Sequence, residues 1–388
     1  MDIVRIGIIG IGNMGSNHMN NIEEKQNIPG AKVTAVCDLR KERLDIAREK
    51  YGDGMQYFTD ADEMMKSGLI DAVIIATPHY AHPVYALKAL KAGLHVLCEK
   101  PAGVDAKAVA EVNAYAESCG LVYGVMFNQR TNPLYQKLRE MVQSGELGAI
   151  KRVNWIITDW YRSQSYYDSG GWRATWTGEG GGVLMNQDPH QLDLMQWIFG
   201  MPKRVRAFMY YGKFHNIEVE DDVTAYLEYE NGATGLFVTG TGEAPGTNRL
   251  EVSCDMGKVV VEKGEIKFWK NEMSEREFNA TWDKGFGSPK NELVTPEVTG
   301  ENLQHTGILR NWTNAILNGT PLMAPGVEGI NGVRLANAFY VSAWTDSWVD
   351  MPADEELYLK LLEERKAAST GKSVEEKTLD VDGTYGSK

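Results

Sequence analysis

Over the first third of the chain, continuous apolar runs alternate with segments of helical period. Residues 3–9, 32–37 and 71–77 are apolar almost throughout, as strands buried on both faces of a parallel sheet are. Residues 41–50, 84–92 and about 105–118 read as helices between them, and 95–98 and 121–126 as further strands. Repeated strand–helix units predict a doubly wound parallel sheet ending near Phe127. The period changes after residue 128. A helix over 133–144 leads into 150–160, followed by alternating stretches at 204–211, 222–229, 234–241, 249–254 and 258–269. Short turns such as Asn231-Gly232 join them, which predicts an antiparallel or mixed sheet. Helical patterns return at 302–317, 326–348 and 357–366, and the polar end from Ser369 reads as loosely ordered. The expected class is α/β: a parallel doubly wound domain over 1–127, then an α+β domain with a large, mostly antiparallel sheet over 128–388.

Ligands of doubly wound sheets bind outside the carboxyl ends of the strands. The candidate loops are therefore 10–15, 38–40, 77–82, 99–101 and 128–130. The first of these reads Gly10-Ile11-Gly12-Asn13-Met14-Gly15, between a buried strand and a helical segment, and the second strand ends in Asp38. This is the layout of a Rossmann dinucleotide site. Its glycines make the turn, admit the pyrophosphate and let helix and strand pack closely. An acid at Asp38 can accept the adenosine ribose hydroxyls and repels a 2′-phosphate, which favours NAD over NADP. Arg40 and Lys41 can pair with a phosphate instead, or simply be exposed charges opening the next helix.

At 388 residues the chain is long enough for two to three domains, and 43% hydrophobic with 24% charged residues is ordinary for a globular protein. A net charge of −13 opposes nonspecific nucleic-acid binding. No apolar stretch reaches the ~18 residues of a membrane span, and the chain enters a strand without a leader-like segment, so a cytoplasmic location is expected. Cys37, Cys98, Cys119 and Cys254 lack CxxC spacing and read as reduced core thiols.

The glycine loop, Thr77-Pro78-His79-Tyr80-Ala81-His82, Glu99-Lys100-Pro101, and Gly180-Gly181-Gly182-Val183-Leu184 leading to His190 and Asp193 together resemble the glucose–fructose oxidoreductase / inositol dehydrogenase / MocA family. The resemblance spans most of the chain. It implies an NAD(P)-dependent oxidoreductase acting on sugars, cyclitols or their derivatives, with the substrate held between the Rossmann domain and the open face of the C-terminal sheet. It also implies a homodimer or homotetramer formed through that sheet.

Removing hydride from a carbinol carbon requires the hydroxyl proton to leave, so a base titrating near neutrality should face the nicotinamide. Lys100 and His190 are the candidates. Partial desolvation beside a positive nicotinamide should lower the Lys100 ammonium pKa. Asp188-Pro189-His190-Gln191 reads as a helix start with Asp188 as N-cap and Gln191 completing a capping box. His190 then lies in the first turn, where the helix dipole keeps its ring neutral. The family often has an aspartate four residues before this histidine, whereas this chain has Asn186. Asn186 can hydrogen-bond but cannot stabilise an imidazolium by charge, so either Lys100 carries more of the proton chemistry or Asn186 positions substrate.

The expected cofactor contacts are Gly10, Gly12, Asn13, Met14, Gly15, Asp38, Leu39, Arg40, Thr77, Pro78, His79, His82, Glu99, Lys100 and Asn128. A crowded aromatic stretch, Trp155 to Trp176, carries Arg162 and Arg173. Aromatic faces pack on sugar C–H faces and arginines bond hydroxyls. The expected substrate contacts are Lys100, Arg130, Arg162, Trp172, Arg173, Trp176, Asn186 and His190. His79 and His82 have no acid or thiol nearby to complete a metal site, so no metal is expected. His18 reads as structural, and His95, His215 and His305 show no evident partner. The reading is an NAD-dependent dehydrogenase that oxidises a secondary hydroxyl of a sugar, anhydrosugar, glycoside or cyclitol to a ketone, or runs the reverse. The alternatives are an NAD-retaining enzyme cleaving glycosides by transient oxidation and elimination, and a noncatalytic sugar or nucleotide sensor.

Overall fold

The computed structural model describes residues 2–372. Six strands form the first sheet: β1 Val4–Ile9, β2 Ala31–Cys37, β3 Gln56–Phe58, β4 Ala72–Ile75, β5 His95–Cys98 and β6 Tyr123–Val125. All are parallel, in the order β3-β2-β1-β4-β5-β6. Val4, Ile6, Ile8 and the whole of β4 are buried, which is why these strands read as unbroken apolar runs. The order reverses beside β1, so the glycine loop lies at the switch point where such sheets bind ligands.

Nine strands form the second sheet: β7 Ile150–Ile157, β8 Arg204–Tyr211, β9 Glu220–Glu228, β10 Thr234–Gly240, β11 Asn248–Cys254, β12 Gly257–Glu262, β13 Glu265–Asn271, β14 Asn291–Val294 and β15 Val349–Asp350. Their order is β14-β13-β12-β11-β7-β10-β9-β8-β15, antiparallel except where β7 meets β10. One face alternates into the core through Val153, Trp155, Ile157, Val223, Ala225, Leu227 and Phe237, under helices Pro189–Phe199 and Gly329–Thr345. Phe208, Tyr210 and Tyr226 are exposed on β8 and β9.

The single stretch expected over 258–269 is a hairpin. Lys263 and Gly264 both take positive φ, +52° and +76°, between paired Glu262 and Glu265, the backbone of a two-residue turn matched to strand twist. The two sheets are joined by more than the chain crossing at 128. Helix Gln304–Asn318 lays Ile308, Leu309 and Trp312 on the first sheet, and Trp312 Nε1 donates to the Val96 carbonyl at 3.1 Å. Residues 369–372 lie along the aromatic segment, with Ser369 Oγ 2.5 Å from Glu218 Oε1; the remainder of the expected loose end lies outside the described residues.

Candidate active site

Gly10 takes φ +86°, and a Cβ on Gly15 would lie 1.9 Å from the Gly10 carbonyl oxygen, so the turn and the close packing both need glycine. A Cβ on Gly12 would first meet the flexible Arg43 guanidinium, at 3.3 Å. Asp38 is buried; its carboxylate accepts from Ile11 N at 3.0 Å and Arg40 N at 2.9 Å, and Arg43 Nη1 lies 3.4 Å away. Asp38 thus ties the glycine loop to the end of β2, with lone pairs left for a ribose. Asn13 and Met14 open the following helix, and Leu39 stands 84% exposed beside Asp38, an apolar surface of the kind an adenine ring covers. Arg43, five residues past the acid, was not anticipated from the sequence.

Glu99 and Lys100 follow β5. Glu99 is buried, and burial pushes its carboxyl up, yet the His18 hydrogen bond and the charges of His18, His305 and Lys100 bring it down to about 2. His305 sits beside His18 with ring centroids 6.0 Å apart, and burial lowers it to about 4. Lys100 Nζ donates to the Asn186 backbone carbonyl at 2.7 Å. Burial lowers the Lys100 ammonium pKa; Glu99 and Glu179 push it back up, and Arg162 and Arg173 lower it further.

His190 lies in the first turn of helix Pro189–Phe199. Burial and the charge of Lys100 hold it well below the ordinary imidazole value, so it is neutral and able to accept a proton. Trp172, Arg173, Arg162 and Tyr166 collect on one another in the chain's aromatic segment, and both arginines act on Lys100. Arg173 stacks over the Tyr166 and Trp172 rings at 4.6 Å each and donates to Tyr166 Oη at 2.9 Å. Arg162 lies over Tyr166 at 5.2 Å. This segment is pinned to the nucleotide-side loop: His79 Nδ1 donates to the Glu179 carbonyl at 3.0 Å, Tyr80 Oη to the Trp176 carbonyl at 2.6 Å, and Trp172 meets the His79 ring edge-on. The loop of a parallel sheet and a segment of the antiparallel domain therefore face one another across Lys100.

Residues 4–127 match the oxidoreductase family with an NAD-binding Rossmann fold, GFO/IDH/MocA, and residues 135–260 match the GFO/IDH/MocA C-terminal domain. The chain belongs to this family. It is 27% identical to the inositol 2-dehydrogenase of Corynebacterium glutamicum over 235 residues, 59% of this chain and 64% of that protein, so the match spans somewhat less than two thirds of that relative. It is 29% identical to the D-glucoside 3-dehydrogenase of Escherichia coli over 247 residues, 59% of this chain and 68% of that one. Among solved structures, the WlbA dehydrogenase of Chromobacterium violaceum, in complex with NADH and UDP-GlcNAcA, is 26% identical with a TM-score of 0.77, covering 91% of this chain and 97% of that one.

Several expected residues of this family member are committed elsewhere. Arg130 is fully buried, its guanidinium paired with Asp193 (2.8 and 2.7 Å) and Glu328; a buried cation needs such partners, so it braces the domain interior instead of reaching substrate. Asn128 is buried and its Nδ2 donates to Gln304 Oε1, holding the start of helix Gln304–Asn318. Trp176 is 5% exposed among Tyr211, Tyr340 and Trp344, with Nε1 on the Glu218 carbonyl at 3.0 Å, a core residue and not a sugar platform. His82 bridges the Thr77 and Pro101 carbonyls at 2.7 Å each, joining two loops through its own ring nitrogens; Thr77 and Pro78 lie at the first of these loops. Asp188 stands at the cap position but makes no cap bond; it is fully buried, and burial raises its carboxyl well above the usual range. His215, which showed no partner in sequence, contacts Asp221 Oδ2 at 3.0 Å and the Arg162 carbonyl at 2.8 Å. Glu179, like Arg43, is a site residue that sequence reasoning passed over: it is 1% exposed and accepts from the Asn186 side-chain amide. Among the described residues no group of three or more His, Cys, Asp or Glu is arranged to hold a metal, and no helix is long and apolar enough to cross a membrane.

Proposed function

We propose that this chain is an NAD-dependent dehydrogenase that oxidises a secondary hydroxyl of a sugar, anhydrosugar, glycoside or cyclitol to a ketone, or runs the reverse reduction. The observation that carries the reading is Lys100, a desolvated lysine held at 2.7 Å on the Asn186 carbonyl, between a dinucleotide loop and an arginine–aromatic segment. Its relatives named inositol 2-dehydrogenase and D-glucoside 3-dehydrogenase act on polyols of this class. NAD, when bound, supplies the hydride acceptor. The protein's part is to take the hydroxyl proton and to orient the carbinol. His190, held neutral, and Lys100, whose ammonium pKa burial lowers, are the two groups placed to take that proton. Arg173 and Arg162 present donors, and Trp172 a half-buried ring, toward substrate hydroxyls and C–H faces.

We assign the nucleotide to residues 1–127 and substrate binding and oligomer contacts to 128–388. A homodimer or homotetramer would cover Phe208, Tyr210 and Tyr226 on the outward face of the second sheet. Three buried and one half-buried free cysteine accord with a reducing cytoplasm. An absorbance screen for NADH over inositols, aldoses, anhydrosugars and glycosides tests the reading. NADH formation with at least one of them supports it. Turnover of a glycoside with NAD retained and no net NADH would instead favour the elimination reading.

A further inference from the structure

We infer that Glu179 is a positioning residue that sets the charge state of Lys100, acting through Asn186. Glu179 lies 1% exposed in the segment between Trp176 and the Gly180–Gly182 run, where a carboxylate persists only if its oxygens are bonded. Both are. Oε2 accepts from Ala174 N at 2.6 Å, and Oε1 accepts from the Asn186 side-chain amide. Ala174 turns its N–H toward the carboxylate from φ +51°, a left-handed backbone that alanine seldom adopts. Asn186 then has two ends in use: its amide on Glu179 and its carbonyl on Lys100 Nζ. One residue therefore couples an acid and a base that do not touch.

The charges around the pair leave Glu179 a distinct role. Facing Lys100 are Glu99 from its own strand end, Arg162 and Arg173 from the aromatic segment, and Asp188 and His190 from the start of helix Pro189–Phe199. His79 and His82 from the 77–82 loop and His305 from helix Gln304–Asn318 complete the set. Burial holds the four histidines low and Asp188 high. Glu99 is engaged by His18 at 2.7 Å. Glu99 and Glu179 are the two acids that oppose Arg162 and Arg173 at Lys100, and Glu179 is the one that reaches it from the aromatic segment. It is itself faced by Arg173, Lys100 and the Lys372 ammonium, with Tyr167 nearby. With Glu179 ionised, Lys100 holds its proton more tightly; without that charge Glu99 alone opposes the two arginines and the Lys100 pKa falls. A glutamate that merely propped the segment would be replaced by glutamine with no change at Lys100.

The role in turnover rests on the dehydrogenase reading, but the coupling does not, so it is tested without substrate. Whole protein labelled with 13C at lysine Cε is titrated by NMR, the Lys100 signal being assigned by its loss in Lys100→Arg. Glu179→Gln should lower the Lys100 pKa by about one unit, while Glu179→Asp, which keeps the charge, should stay closer to the parent. If Glu179→Gln does not fold, the reciprocal titration serves: in Lys100→Met, the 13C-labelled Glu179 carboxyl should titrate about one unit higher. With an active substrate, the pH–rate profile of Glu179→Gln should move down by the same amount. An unchanged Lys100 pKa in folded Glu179→Gln, or an unmoved Glu179 carboxyl in Lys100→Met, overturns the inference.

Discussion

His18 Nε2 lies 2.7 Å from Glu99 Oε1, and both side chains are buried. The helix that follows the glycine loop is thereby bonded to the strand end that presents Lys100. Removing His18 leaves the Glu99 carboxylate buried without this partner, so His18→Ala should cost about 1–3 kcal/mol near neutral pH. The sign with pH follows from Glu99 being lowered to about 2: its stabilising contribution is full above the unfolded carboxyl range and is lost as pH falls through the folded value. Urea unfolding at pH 7 and pH 3 should show the gap between parent and variant narrowing in acid. A gap that widens in acid contradicts the pairing.

Asp38 holds Ile11 N, Arg40 N and Arg43 together at the end of β2. Asp38→Ala should weaken NAD binding by about tenfold to a hundredfold, the loss of charged hydrogen bonds worth about 1.5–3 kcal/mol. NADP affinity should fall less, narrowing the preference. Fluorescence titration with both nucleotides measures it, and tighter binding of NADP by the unmodified protein would overturn the assignment.

Arg173 and Trp176 have different surroundings although only two residues lie between them. Arg173→Ala should raise KM for substrate with NAD affinity nearly unchanged. Trp176→Ala, which empties a site among Tyr211, Tyr340 and Trp344, should cost about 3–5 kcal/mol of stability. Equal KM effects with no loss of stability in Trp176→Ala would return that ring to the cleft.

Glu220 anchors the glycine run from beneath: it accepts from Gly182 N, Leu184 N and, at 2.7 Å, Tyr340 Oη. Burial still pushes its carboxyl up to about 7. A raised folded pKa means stability is full below the unfolded value and declines as pH rises through about 7, by about 3 kcal/mol at most. Glu220→Gln should remove that slope. Denaturant unfolding at pH 5 and pH 8 reads it, and parallel slopes in parent and variant would reject it.

The sheet strands were readable because burial on both faces makes them apolar throughout, and the Lys100 and His190 positions because strand ends and helix starts have local signatures. What could not be read was pairing across the chain. Arg130 looked like a substrate ligand because nothing nearby in sequence announces Asp193 and Glu328. Asp188 looked like a cap because sequence shows the position but not the direction of its carboxyl. The strands β3, β14 and β15 are too short to show a period. Glu179 was hidden for the same reason as Arg130: nothing near it in sequence announces that it meets the Asn186 side-chain amide.

The central claim is that Lys100 and His190 handle the hydroxyl proton beside a dinucleotide. NADH formation and NAD affinity, measured together in Lys100→Met and His190→Asn with the best substrate of the polyol screen, test it most directly. The account predicts rates down by about a hundredfold to ten-thousandfold in each, with NAD dissociation constants within about twofold of the parent. Rates near the parent's in both variants would contradict it.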